Sequence, residues 1–149
     1  MREVKRSALV PYTAEQMFAL VEDIERYPQF LPWVSAAQLL ERTPQAVVGR
    51  LEMHRAGMRE VVTTRNALTP PREIALSLVA GPFKTLEGRW TFEPIGENRG
   101  TRVSLSMRFE FANSMLNLLL SRSFEKSCND LVDAFVARAR AIYGTRASQ

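Results

Sequence analysis

The sequence has very few of the residues that build metal centres and disulfide frameworks: its 149 residues include one cysteine and one histidine. The lone Cys128 excludes an intrachain disulfide, and together with His54 it cannot form a His/Cys zinc site. No glycine-rich phosphate loop follows a strand-like segment, and no apolar run approaches the ~18 residues that a membrane-spanning helix needs. These absences predict a protein with no metal ion, no required cofactor and no bilayer-spanning segment.

Neither sign of charge dominates the chain. Lys and Arg number 20 against 16 Asp and Glu, which gives a net charge of +4. This excess favours acidic partners such as nucleic acid or an anionic membrane, but it is also ordinary for a soluble domain. The N-terminal residues lack the apolar stretch of a signal peptide. We therefore expect a cytoplasmic protein and no DNA partner.

The most informative segment is Tyr27-Pro28-Gln29-Phe30-Leu31-Pro32-Trp33, which has three aromatic residues, a leucine and two prolines but no charge. Each proline disfavours helical geometry in the residue before it, so a long helix or a central strand is not expected here. Connecting segments are usually polar. Two interpretations stay open: the segment fills the core, or it forms the rim of an apolar cavity.

The first part of the chain predicts a strand followed by a short helix. Val4, Ala8 and Val10 alternate with polar residues as far as Pro11. Thr13 and Gln16 then have the spacing of a capping box, and apolar residues follow at helical intervals. This pattern predicts a helix from about Thr13 to Glu25.

From Ser35 to Phe111 the apolar period is two, which predicts about six antiparallel strands joined by short turns such as Ala56–Gly57 and the loop 96–100. A final helix is expected over Ser114–Tyr143, with a length of ~45 Å at 1.5 Å per residue. Its apolar stripe comprises Phe124, Cys128, Leu131, Phe135, Ala139 and Ile142. The order predicts an α+β helix-grip domain over 1–144, with a curved antiparallel sheet wrapped around a long C-terminal helix, and a short tail over 145–149.

Few side chains are candidates for catalysis. His54 falls on the polar side of its strand, and Cys128 falls on the apolar stripe of the last helix, where a thiol is usually inert. Glu60 points into the sheet's concave side only if it shares a face with Val62. The opposite register, with Val61 inward, fits the pattern equally well. On the concave side Glu60 would hydrogen-bond a ligand or act as a base. Catalysis by Glu60 stays an alternative, but we predict no catalytic residues.

Four segments together resemble one family: Tyr27–Trp33, Thr64–Asn66, Gly81–Phe92 and Phe109–Asn113. They are similar to the bacterial RatA-type family of ribosome association toxins, to the coenzyme Q-binding START-like proteins and to the wider polyketide cyclase superfamily. The resemblance implies a START-like, Bet v 1-like helix-grip fold whose cavity binds ubiquinone or a related polyprenyl lipid in support of respiration. For some bacterial members it also implies binding to the large ribosomal subunit, which blocks subunit association. It implies no enzyme activity for this branch.

The expected cavity joins the proline-rich segment, the concave sheet and the last helix. Its predicted ligand-binding residues are Tyr27, Phe30, Leu31, Pro32, Trp33, Phe83, Trp90, Met107, Phe109, Phe124, Cys128, Leu131 and Phe135. Arg122 and Lys126, one helical turn apart and off the apolar stripe, are the predicted contact with the ribosome or another anionic surface. A transient contact with the inner membrane surface is also expected for a carrier of this kind.

Overall fold

The structure, a computed structural model, describes residues 1–55, 57–97 and 99–144, with the backbone alone at Met58. The predicted tail over 145–149, Ala56 of the first predicted turn and Asn98 of the second lie outside them. The elements in chain order are β1 Arg2–Val10, α1 Ala14–Glu22, a 3-10 helix Ile24–Gln29, β2 Val34–Arg42, β3 Ala46–Arg55, β4 Met58–Thr69, β5 Glu73–Ala80, β6 Phe83–Ile95, β7 Gly100–Phe111 and α2 Ser114–Tyr143.

The seven strands form one antiparallel sheet with the order β1-β7-β6-β5-β4-β3-β2. From β2 to β7 each strand pairs with the next one in the chain, as expected for a meander. β1 instead pairs with β7, so that Arg2 lies opposite Phe109 and Val10 opposite Thr101. The predicted curved sheet and long C-terminal helix are confirmed.

α2 covers the concave face of the sheet over the predicted span. Asn113 begins it, because its side chain accepts a hydrogen bond from the Leu116 amide at 2.9 Å. Gly144 ends it with a φ of 77°, a conformation that favours glycine. No helix among the described residues is long and apolar enough to cross a bilayer.

The buried face of α2 differs at its C-terminal end from the predicted stripe. Val132, Phe135 and Ala139 are fully buried, whereas Ile142 is 51% exposed, so its predicted place in the core is wrong. At this end of α2 the neighbouring Tyr143 is half-buried in place of Ile142. The Tyr143 side chain lies against α1, where its hydroxyl donates to the Gln16 carbonyl at 2.9 Å.

α1 is shorter than predicted. The capping box at Thr13 and Gln16 is confirmed, with both reciprocal hydrogen bonds present. The helix ends at Glu22, because Asp23 leaves helical geometry with φ −84° and ψ 72°. The chain then tightens into the 3-10 helix, which contains Pro28 and brings the proline-rich segment down onto the sheet.

Glycine at position 49 allows this close approach. A Cβ on Gly49 would lie 2.7 Å from the Ile24 Cδ1 atom, well inside ordinary contact distance. Ile24 is itself almost fully buried. Ile24, the first residue of the 3-10 helix, therefore packs directly against the backbone of β3 at Gly49.

The buried face of α2 leads to a stability prediction. Val132→Ala should lower the free energy of unfolding by about 2 kcal/mol, because it removes two buried methyl groups and leaves a small cavity. The control Ile142→Ala should cost less than about 0.5 kcal/mol, since that side chain already contacts solvent. Urea denaturation measures both, and equal costs would contradict this assignment of the buried face.

Candidate functional site

An apolar cavity lies between α2 and the concave face of the sheet. Its inner lobe has a volume of about 90 Å³. The predicted residues in its wall are Tyr27, Leu31, Trp33, Trp90, Met107, Phe124, Cys128, Leu131 and Phe135. The sequence pattern and the geometry therefore bring these side chains together at one site.

A second, outer lobe of about 50 Å³ lies next to the first. Predicted residue Phe83 lines it, as do Pro82 and Phe111. The two lobes share a partition, because the following side chains line both: Trp33, Met53, Val62, Phe124 and Ser127. The site is thus one elongated space that a few side chains divide.

Three predicted residues lie outside both lobes. Phe109 is fully buried behind the wall, with its ring centroid 4.6 Å from that of Phe124. Phe30 is half-buried against Phe135 at 5.2 Å, and Pro32 faces solvent. A ligand role for these three stays a prediction that no lobe of the cavity supports.

The proline-rich segment both fills part of the core and forms part of the cavity wall, so the two interpretations of its sequence do not exclude each other. Tyr27, Leu31 and Trp33 are buried in the core, and the same three side chains line the inner lobe. The Tyr27 hydroxyl donates to the Val21 carbonyl. Burial, with a smaller effect from nearby Asp23, raises the pKa of Tyr27 far above its usual value. Tyr27 therefore stays neutral and holds the segment against α1.

Sequence reasoning missed the part of the wall that strands β2 to β6 supply. These residues are Val34, Leu51, Met53, Val62, Thr64, Leu76 and Leu86. Strand alternation marks Leu51 and Met53 as sharing one face, but periodicity alone does not say whether an inward side chain packs or lines a space.

The register of β4 resolves the position of Glu60. Val62, Thr64 and Asn66 are buried, whereas Val61 is 46% exposed. Glu60, in phase with Val62, consequently faces the concave side and lines the outer lobe, where it is half-buried. A carboxylate thus stands among the polar side chains of the outer lobe, next to an inner lobe that is almost entirely apolar.

Arg55 closes one side of the outer lobe. Its guanidinium carbon lies 5.0 Å from the centroid of the Trp33 ring, a cation–π contact. The same group donates to the Ser127 hydroxyl and, at 3.3 Å, to Asp130 on α2. A hydrogen bond from Lys126, aided by Arg55, holds the pKa of Asp130 below its ordinary value. We call this Arg55–Ser127–Asp130 arrangement the latch, because it connects the end of β3 to α2.

The chemistry available in the cavity is limited. Burial, with a smaller contribution from Glu125, raises the pKa of Cys128 to about 12, so that the thiol stays neutral and unreactive. His54 borders the outer lobe, but its side chain is exposed. Within residues 1–55, 57–97 and 99–144, no group of three or more His, Cys, Asp or Glu side chains could hold a metal ion. The cavity suits binding by shape and apolar contact.

Comparison with known proteins matches residues 10–136 to the family model "Polyketide cyclase / dehydrase and lipid transport". The chain is 44% identical to a ribosome association toxin RatA from Vibrio cholerae, over 97% of this chain and 99% of that one. It is 26% identical to the mitochondrial coenzyme Q-binding protein COQ10 homolog B of Xenopus laevis, over 95% of this chain and 59% of that one.

The fold also matches a solved structure, the Zhui aromatase/cyclase from Streptomyces sp. R1128. The TM-score is 0.77 at 21% identity, over 94% of this chain and 95% of that one. At this identity the likeness concerns the fold alone.

The environment of Cys128 predicts slow thiol chemistry. At pH 8 the native protein should react with iodoacetamide at least ~100-fold more slowly than the urea-unfolded chain, whose thiol has a pKa near 8.5. Because the sequence has one cysteine, mass spectrometry of the adduct reports this site alone. Comparable rates in the native and unfolded protein would show that the cavity opens readily or that Cys128 is activated.

Proposed function

The chain belongs to the polyketide cyclase / dehydrase and lipid transport family and to the RatA relatives within it, and we propose that it binds a polyprenyl lipid, specifically ubiquinone or a related quinone. The observation that carries this proposal is the apolar cavity beneath α2, with polar groups gathered at its outer end. The family description and the name of the frog relative support the same class of ligand.

The distribution of polarity supports one orientation of the ligand. The inner lobe is lined almost entirely by apolar side chains, which recognise an isoprenoid tail by area. Arg55 and Ser123 at the outer lobe offer hydrogen-bond donors that suit the carbonyl oxygens of a quinone ring. Burying about 200 Å² of tail is worth about 5 kcal/mol before the costs of ordering.

Binding requires the cavity to widen. Lobes of about 90 and 50 Å³ are smaller than the ~300–1,000 Å³ of typical ligand pockets. Two side chains of the partition, Met53 and Phe124, are half-buried. Met53 is unbranched, which suits a side chain that adapts to a ligand. We propose that the ligand displaces this partition and joins the two lobes.

We propose that the protein binds its ligand without transforming it. Catalysis of cyclisation or dehydration needs a positioned acid or base. Cys128 is a neutral, buried thiol, and His54 is exposed. Glu60 lines the outer lobe, but no second carboxylate among the described residues stands beside it in the lining of that lobe. Recovery of an added quinone unchanged after incubation with the protein tests this point.

A cavity-filling variant tests ligand binding. Leu131→Phe should weaken binding of a short-chain ubiquinone at least tenfold, or about 1.4 kcal/mol, because the larger ring occupies the inner lobe. Isothermal titration calorimetry in detergent-free buffer measures the affinity. Thermal unfolding of the empty protein should change little or rise, since filling a cavity improves packing.

The matched control is Leu20→Phe. Leu20 is a half-buried leucine on α1 that lines neither lobe. It should leave quinone affinity unchanged. Equal affinities for wild type and Leu131→Phe, with both proteins folded, would overturn the cavity as the binding site.

Ribosome association is a second candidate function, and we propose it on two observations. The Vibrio cholerae relative bears that name at 44% identity over nearly its whole length. Arg122 and Lys126 are both exposed and one turn apart on α2, where a phosphate backbone can reach them. We infer contact with the large ribosomal subunit through these two cations.

Salt dependence separates ribosome association from lipid binding. The Arg122→Glu/Lys126→Glu variant should lose most co-sedimentation with large subunits, and wild-type binding should fall steeply as salt rises. The control Arg50→Glu/Arg65→Glu makes the same change in charge at exposed positions of β3 and β4 and should keep binding. Co-sedimentation that neither salt nor the α2 variant reduces would exclude this contact.

A further inference from the structure

Three large apolar side chains stand in solvent on the first two turns of α2. Met115 is 70% exposed, Leu118 84% and Leu119 52%. Single exposed apolar residues are ordinary, but adjacent ones on one element mark an interaction surface. Of the three consecutive leucines at 118–120, only Leu120 points into the core, where it is 5% exposed.

Helical spacing places these three residues on one face together with two cations. Positions 115, 118, 119, 122 and 126 follow steps of three and four, so Arg122 and Lys126 continue the apolar stripe towards the middle of the helix. Both cations are exposed. We call Met115, Leu118, Leu119, Arg122 and Lys126 the docking face.

The first turns of α2 carry no negative charge. Further along the helix Glu125 and Asp133 do, and both are ion-paired to arginines of β1. From 111 to 124 the sequence contains no Asp or Glu. Within the described part of the chain, Arg122 forms no ion pair, while Lys126 contacts Asp130 at 2.8 Å. An apolar stripe followed by cations complements a surface that is apolar inside and anionic at its boundary.

The opposite side of the same turns lines the ligand site. Leu120, Ser123 and Phe124 border the outer lobe, where Pro82 and Phe83 complete the wall. The docking face and the outer end of the cavity are therefore the two sides of one helical segment. A ligand that leaves the outer lobe emerges beside whatever the docking face contacts.

We propose that the docking face binds the surface of a phospholipid bilayer that contains anionic lipid, with Met115, Leu118 and Leu119 inserted below the head groups and Arg122 and Lys126 on the phosphates. This inference deepens the proposed function, on which its role in ligand exchange rests. The docking itself is a separate property of the helix.

Two other occupants fit the whole face less well, although Arg122 and Lys126 by themselves also suit the ribosomal contact proposed above. Ribosomal RNA offers phosphates to the cations but no apolar surface for three exposed hydrophobic side chains. A second copy of the chain would bring the same face against itself, and the two cations of each helix would then lie against like charge or apolar side chains. A bilayer offers an apolar interior to the three hydrophobic side chains and phosphates to the two cations.

Flotation with lipid vesicles tests the proposal. Wild type should float with vesicles of phosphatidylcholine mixed with phosphatidylglycerol, and less with phosphatidylcholine alone. Leu118→Gln/Leu119→Gln should reduce partitioning roughly tenfold, because it removes most of the apolar area while keeping helix propensity. The control Val61→Thr/Val79→Thr alters exposed valines of β4 and β5 and should float like wild type.

The outcomes separate docking from ligand binding. Short-chain ubiquinone affinity in buffer should be the same for wild type and the double glutamine variant, so a failure of quinone binding leaves the vesicle result unaffected. Flotation of the glutamine variant equal to wild type, or no flotation of wild type, would overturn the docking face.

Two further results would also overturn it. One is loss of ribosome co-sedimentation in the glutamine variant while vesicle binding is kept, which would assign the face to the ribosome. The other is a wild-type dimer that the same variant dissociates, which would assign it to self-association.

Discussion

The packing of Phe135 connects the three parts of the molecule that build the cavity. Its ring is fully buried and makes edge-to-face contacts with Tyr27 at 5.5 Å, Phe30 at 5.2 Å and Trp90 at 5.3 Å. Tyr27 and Phe30 belong to the proline-rich segment, and Trp90 belongs to β6. One side chain of α2 thus fixes the distance between helix, segment and sheet, and it closes the inner end of the space that they surround. Aromatic rings suit this role, because they bury a large area at a defined angle.

The layers of this fold could be predicted from the sequence. Whether a cavity lies between them could not be decided from the sequence alone. Strict alternation along β6 and β7 and the spacing of three and four along α2 determine which faces are apolar. Periodicity cannot tell a side chain that packs, such as Phe109, from one that borders a void, such as Met107, since both point inward. The exposure of Leu118 and Leu119 could not be predicted for a related reason. Three consecutive leucines have no internal period that distinguishes the exposed Leu118 from the buried Leu120.

The inward and outward sides of α2 are under different constraints. The inward side must pack well enough to hold the sheet, yet a well-packed interior leaves no room for a ligand. The two demands meet at the partition between the lobes, where Met53 and Phe124 lie between the two spaces. The latch around Arg55 adds a polar connection across the same region. The outward side carries no such constraint, which leaves it available for a surface contact.

The pairing of β1 with β7 also has a consequence during synthesis. Arg2 lies opposite Phe109 and Val10 opposite Thr101, so the partners of β1 are made 91 to 107 residues after it. At about 5–20 residues per second, the strand waits on the order of 5–20 s with Val4 and Val10 uncovered. The ion pairs from Arg2 to Glu125 and from Arg6 to Asp133 form later still. Folding of this sheet is therefore completed late in translation, and during that interval β1 is a site where a chaperone can bind or aggregation can begin.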